Sequence, residues 1–173
     1  GFAYVLDKQA LLDLANIEEL GCKESELFDR VLLVERPEDD PGTDPTEVYG
    51  TLWRRAFHAA IHRELEEHVA SGRLGRAEIR ARIHAIGQTE FDEIRFVLRQ
   101  DDLLLPPDDD ATTYTEFAAT YLELAAFAPE TLSRTFPALH DAARIERTLA
   151  SDVDKRALLE RTKPPGAPSP PRE

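Results

Sequence analysis

The chain has 173 residues and a formal net charge of −13, and its 42% of hydrophobic residues are enough for one folded core. Its high content of charged residues excludes a membrane protein, and its negative balance disfavours binding to nucleic acid. Because Cys22 is the single cysteine, an internal disulfide is excluded, and we expect a reducing, cytoplasmic location.

The N-terminal part predicts two helices and a loop. Asp7 is placed to cap a first helix that runs through Leu20 and ends at Gly21. A second helix is predicted from Ser25 to Val34, although its apolar end would also suit a strand. Acidic residues and prolines then predict a solvated loop at residues 37–44.

The longest predicted helix covers about residues 45–71. Asp44 supplies an N-cap, Pro45 occupies the first helical position, and Glu47 adds a carboxylate three residues after the cap. Apolar residues recur every fourth position along this helix and predict a stripe that other helices must cover. The stripe consists of Trp53, Phe57, Ile61, Leu65 and Val69.

The rest of the chain predicts shorter helices. Isoleucines at helical spacing mark one that ends at Gly87, and Thr89 is placed to open the next. Prolines and aspartates predict a break at residues 103–112. A capping box at Thr113–Glu116 predicts the start of a helix that stops at Pro129. Two or three further helices are predicted, around Pro129–Thr135, Ala138–Leu149 and Ser151–Arg161.

Together these patterns predict an all-α fold, an irregular bundle of six to eight helices in a single domain of residues 1–162. Alternating apolar and polar runs are scarce, so we expect little or no sheet. Residues 163–173 contain five prolines and predict a disordered linker or tail.

The residues with the clearest chemical potential are His58 and His62. Their spacing of four places both imidazoles on one face of the long helix, as helical metal sites require. If a metal such as zinc, iron or manganese binds, Glu66, His84 and Glu93 are the candidates to complete its ligand shell. A zinc peptidase of the His-Glu-x-x-His type is excluded because Ala59 stands where that motif needs glutamate. The sequence favours a structural role at the border of the apolar stripe.

Arginines concentrate in the middle of the chain, where residues 50–100 hold 9 basic and 7 acidic side chains. Guanidinium groups at this density suit an anion or an acidic partner, although they also balance the chain's own carboxylates. The candidates for anion binding are Arg55, Arg63, Arg76 and Arg80.

Helix signals are plentiful, but no complete catalytic set is visible in the sequence. We therefore expect a helical protein-interaction or scaffold module, without a cofactor, that belongs to a larger cytoplasmic protein. Its partner would be another protein or the remainder of the longer chain. The alternative is a metal-binding bundle or metal-dependent enzyme centred on His58 and His62.

Overall fold

The computed structural model describes residues 3–34, 44–104 and 106–167, and this part of the chain is an all-α bundle, as the sequence predicts. Two short strands and eight α-helices occur in it. None of the described helices is both long enough and apolar enough to cross a bilayer. The elements are β1 (Ala3–Asp7), α1 (Lys8–Leu14), β2 (Arg30–Val34), α2 (Pro45–Ala70), α3 (Arg76–Ile86), α4 (Gln88–Gln100), α5 (Asp110–Phe127), α6 (Leu132–Thr135), α7 (Ala142–Leu149) and α8 (Lys155–Thr162).

Helices α2 and α5 form the centre of the bundle. The predicted start of α2 is confirmed, because the Asp44 carboxylate accepts a hydrogen bond from the Thr46 N–H at 2.9 Å. The predicted apolar stripe is buried from Trp53 to Leu65, whereas Val69 is exposed. Phe127 at the end of α5 contacts this stripe edge-on, with its ring centroid 5.2 Å from that of Trp53.

Helices α3, α4 and α6 contact other sides of α5, which explains why most of its side chains are buried. Helices α3 and α4 each contribute an apolar row at helical spacing, as predicted, whereas α7 packs on α3 and α8 packs on α2. The fully or nearly fully buried hydrophobic side chains of these four helices are Ile79, Ile83, Ile86, Phe91, Ile94, Leu98, Ile145, Leu149 and Leu158.

The N-terminal segment differs from the prediction. Residues 30–34 form β2 rather than the end of a helix, and β2 pairs antiparallel with β1 from Ala3↔Val34 to Asp7↔Arg30. The β-branched and leucine run suits a strand once a partner strand supplies the backbone hydrogen bonds. Helix α1 ends at Leu14 rather than Leu20, because the Glu19 carboxylate accepts from the Asn16 N–H at 3.1 Å and holds a turn there.

Helix α5 begins three residues earlier than the predicted capping box. The Asp109 carboxylate caps it by accepting from the Thr112 N–H at 2.8 Å. Thr113 and Glu116 therefore lie within the helix and are buried. Similarly, α4 begins at Gln88, after Gly87, and not at Thr89.

The predicted loop at residues 37–44 lies outside the described residues except for Asp44, and so does the end of the predicted tail, residues 168–173. Residues 163–167 of that tail form a turn that packs against α2. The Lys163 ammonium lies 5.1 Å from the Trp53 ring centroid, and Ala167 is buried.

Candidate metal centre

Helix α2 presents His58 and His62 on the side that faces α5. The two imidazoles follow one another by a helical turn, and their ring centroids are 4.9 Å apart. Phe57 and Ile61, the residues that precede them, are fully buried, so the histidines lie at the edge of the core. This agrees with the predicted position at the border of the stripe.

Helix α5 presents two carboxylates to the same place. Glu116 and Glu123 are separated by seven residues, which is two helical turns, so they share one face of α5. Their side chains are only 12% and 15% exposed, against 25% and 26% for His58 and His62. We call these four residues the histidine–glutamate cluster.

Three side chains of the cluster converge closely enough to share a metal ion. The Glu116 Oε2 atom lies 2.9 Å from His62 Nε2, and its Oε1 atom lies 3.7 Å from His58 Nε2. Within the described residues, His58, His62 and Glu116 are the one set of three such side chains whose potential ligand atoms all lie within 4.8 Å of one another.

The fourth residue, Glu123, orients His58. Its Oε2 atom lies 2.7 Å from His58 Nδ1, and because an ionised carboxylate only accepts, Nδ1 must donate. Nδ1 therefore holds a proton, and Nε2 is the ring atom that faces Glu116. Arg54 donates from Nε to the other oxygen of Glu123, which fixes this carboxylate from a second side.

Both carboxylates are held in their ionised form. Burial alone would raise the pKa of Glu116, but the hydrogen bond and charge of His62, then His58 and Thr120, outweigh it and lower that pKa. Burial likewise opposes a lowered pKa of Glu123, and His58 followed by Arg54 overcomes it. The cluster thus offers two anionic groups in a partly buried site.

The other predicted metal ligands lie elsewhere. Glu66 continues the histidine row along α2 but is exposed, and His84 and Glu93 are exposed on α3 and α4. The structure does not bring these three side chains into the set formed by His58 and His62. Glu116, and none of these three residues, is the third member of the set with His58 and His62.

The four candidate arginines for anion binding separate into different places. Arg76 and Arg80 line a cavity of about 460 Å³ whose wall also contains Asp108, Asp109 and Asp110. Arg63 lines a smaller cavity on α2, and Arg55 is half-buried on the same helix without lining either of these two cavities.

A second buried polar group links α3, α5 and the turn before α8. Arg82 donates twice to the Asp152 carboxylate, from Nε and Nη2, at 2.8 Å each, and the fully buried Tyr114 hydroxyl donates to it at 2.7 Å. Burial, followed by the hydrogen bond to Asp152, raises the pKa of Tyr114, so the phenol stays protonated. All three polar groups satisfy one another, which indicates a structural role.

Glu116 and Glu123 were not among the predicted site residues, although the sequence contains a signal for them. They are the only charged side chains between residues 111 and 128, in a helix whose side chains are mostly buried. A charged group in a helix that is buried on nearly all sides needs a partner, and a histidine pair was available.

Comparison of the chain with protein-family models, curated proteins and solved structures found no match.

Proposed function

We propose that this protein binds one divalent transition-metal ion through His58, His62 and Glu116, between α2 and α5. The observation that carries the proposal is the approach of both imidazole Nε2 atoms to the two oxygens of one buried carboxylate. Two ligand atoms that are each about 2.0–2.1 Å from a zinc ion lie at most about 4.2 Å apart. The separations of 2.9 Å and 3.7 Å satisfy this limit.

The role of Glu123 supports metal binding over a simple pair of ion pairs. A histidine that ligates a metal through one ring nitrogen usually donates its other N–H to a carboxylate or carbonyl, which fixes the ring. His58 has this arrangement, with Nδ1 bonded to Glu123 at 2.7 Å and Nε2 directed to Glu116. One carboxylate per histidine would satisfy ion pairing alone, so the additional approach of Glu116 to His58 at 3.7 Å is what favours a shared ligand.

The donor set limits the identity of the metal. Two imidazoles and one carboxylate suit zinc, iron or manganese, whereas calcium and magnesium prefer oxygen ligands alone. Three protein ligands also leave at least one coordination position for water or another molecule, as in catalytic rather than purely structural sites. A metal held there would act as a Lewis acid or lower the pKa of a bound water.

The protein-interaction or scaffold role inferred from the sequence stays a prediction. It is compatible with a metal centre, since a partly buried site at the edge of a helical bundle leaves most of the surface for other contacts. The described contacts favour the metal proposal because they bring a third potential ligand, Glu116, close to His58 and His62.

Metal analysis of protein prepared without a histidine tag tests the proposal. We expect close to one zinc, iron or manganese ion per chain in the unchanged protein, and a loss of most of it in Glu116→Gln and in His62→Ala. His68→Ala is a matched control on the same helix, because His68 is also half-buried but lies outside the cluster.

The outcome that contradicts the proposal is also clear. If the unchanged protein lacks metal even after refolding with zinc, or if Glu116→Gln retains it, the cluster is only a pair of histidine–glutamate bonds that joins α2 to α5. Circular dichroism of each variant establishes that metal loss does not result from unfolding.

A further inference from the structure

A second cavity lies on a different side of α2 from the histidine–glutamate cluster. Its volume is about 230 Å³, and strand β2 and helices α2 and α8 form its walls. Ala59 and Ala60 line it and follow His58 directly, but a helix turns about 100° per residue, so they point away from the histidine face. We call it the arginine cavity, and its lining residues are Arg30, Val31, Ala56, Ala59, Ala60, Arg63, Arg161 and Thr162.

All charged residues that line the arginine cavity are positively charged. Three guanidinium groups, one from each wall, line the cavity, and no carboxylate is among the lining residues. The larger cavity beside Arg76 differs, because three aspartates line it together with its arginines. The arginine cavity is therefore the better place for an anion, since its lining supplies donors and the carboxylates that pair with its arginines lie outside the lining.

The arginines of this cavity have unused hydrogen-bonding capacity. The Arg63 Nε atom is buried and has no hydrogen-bond partner among the described residues. The ion pairs described for these arginines are long: Arg63 to Glu67 is 3.8 Å, Arg30 to Glu67 is 3.5 Å and to Asp7 is 3.6 Å, and Arg161 to Glu64 is 3.6 Å. A well-formed hydrogen bond between a guanidinium and an oxyanion is about 2.7–2.9 Å long, so these contacts leave donors for a ligand.

We propose that the arginine cavity binds a small oxyanion, a phosphate or carboxylate group, through Arg30, Arg63 and Arg161. Planar guanidinium groups are suited to such oxyanions because their paired N–H groups match two oxygens at once. The alanine and valine side chains of the walls leave room for a short apolar group beside the anion. Binding there would link β2 to both helices.

This site is independent of the metal proposal, because none of its lining residues belongs to the histidine–glutamate cluster. The test is calorimetric titration of the full chain with inorganic phosphate and, separately, with butyrate at constant ionic strength. Binding of either ligand supports the proposal, and their relative affinity shows whether phosphate or carboxylate is the preferred group. Repeating the titration with His62→Ala excludes phosphate held by a metal, since that variant should bind the anion unchanged.

Substitution distinguishes the cavity from general attraction of anions. Arg63→Gln and Arg161→Gln should each weaken binding about tenfold or more, since each removes charged hydrogen bonds. Arg156→Gln is the matched control on α8, because its side chain is 90% exposed, and it should leave binding within about twofold. If Arg63→Gln does not fold, Arg161→Gln decides alone. The proposal is wrong if neither ligand binds about ten times more tightly than a non-specific contact, whose dissociation constant is on the order of 1 mM. It is also wrong if Arg156→Gln weakens binding as much as Arg161→Gln does.

Discussion

The Nδ1 atom of His58 donates to the Oε2 atom of Glu123 at 2.7 Å, across the interface between α2 and α5. This bond sets which ring nitrogen of His58 faces Glu116, and it connects the helix that carries the histidines to the helix that carries the carboxylates. A carboxylate that holds a metal-binding histidine acts on metal affinity without touching the metal.

We therefore predict different effects for the two glutamates. Glu123→Ala should weaken zinc binding about 10–100-fold, the usual effect of removing a group that orients a ligand, without abolishing it. Glu116→Ala should abolish measurable binding at the same concentrations, because it removes a ligand. Competition with a chromogenic chelator measures both affinities, and equal effects of the two substitutions would contradict the assigned roles.

The cluster should also contribute to stability in a pH-dependent way when no metal is bound. The pKa values of Glu116 and Glu123 are lowered from the ordinary value of 4.5, so the folded state favours their ionised forms. A lowered pKa adds stability that is fully present above the unfolded value and is lost as pH falls through the folded value. The stability that depends on these two groups is thus lost as pH falls below about 4.5.

Urea unfolding of metal-free protein at several pH values measures this effect. We expect the Glu116→Gln, Glu123→Gln double variant to be less stable than the unchanged protein above about pH 5, and the difference to shrink towards about pH 3. If the free energies of unfolding of the two proteins differ by the same amount over this whole pH range, the histidines do not stabilise the ionised carboxylates.

The Arg82–Asp152–Tyr114 group should be a stabilising element. Tyr114→Phe removes one hydrogen bond to a charged group and should cost about 1.5–3 kcal/mol of unfolding free energy. Arg82→Ala should cost about 3–5 kcal/mol, because it leaves a buried carboxylate without its cation. Asp152 is only 7% exposed, which is why its partners matter. Chemical denaturation measures both values, and a cost for Arg82→Ala below that for Tyr114→Phe would contradict the assignment.

Helix α4 contains a matched pair that tests the described packing. Phe91 is fully buried, whereas Phe96 is 66% exposed on the same helix. Phe91→Ala should lower the free energy of unfolding by about 3–5 kcal/mol, as expected for a large core residue. Phe96→Ala should change it by no more than about 0.5 kcal/mol. The same denaturation experiment compares the two variants, and similar costs would show that α4 faces the core differently.

Local sequence signals predicted most of the helical bundle because capping residues and apolar spacing act within a few residues. The start of α2 at Asp44 and the burial of Phe57 and Ile61 follow directly from such signals. The strand at Arg30–Val34 was not predicted, because pairing with β1 depends on a segment that lies more than twenty residues away.

The candidate site was predicted only in its α2 half. His58 and His62 were identified because their spacing is local, whereas Glu116 was interpreted as part of a capping box at Thr113. Two acceptable caps lay close together, and the Asp109 cap forms instead, which leaves Glu116 inside the helix. Which side chain of α5 meets the histidines depends on helix packing, and the sequence pattern does not specify that.

Calorimetric titration of metal-free protein with zinc tests the central claim most directly. We predict one zinc ion per chain for the unchanged protein and for Glu66→Ala, whose side chain is exposed on the same histidine row. Glu116→Ala should show no binding under the same conditions. Binding by Glu116→Ala with the affinity of the unchanged protein, or no binding by the unchanged protein, would contradict a metal centre formed by His58, His62 and Glu116.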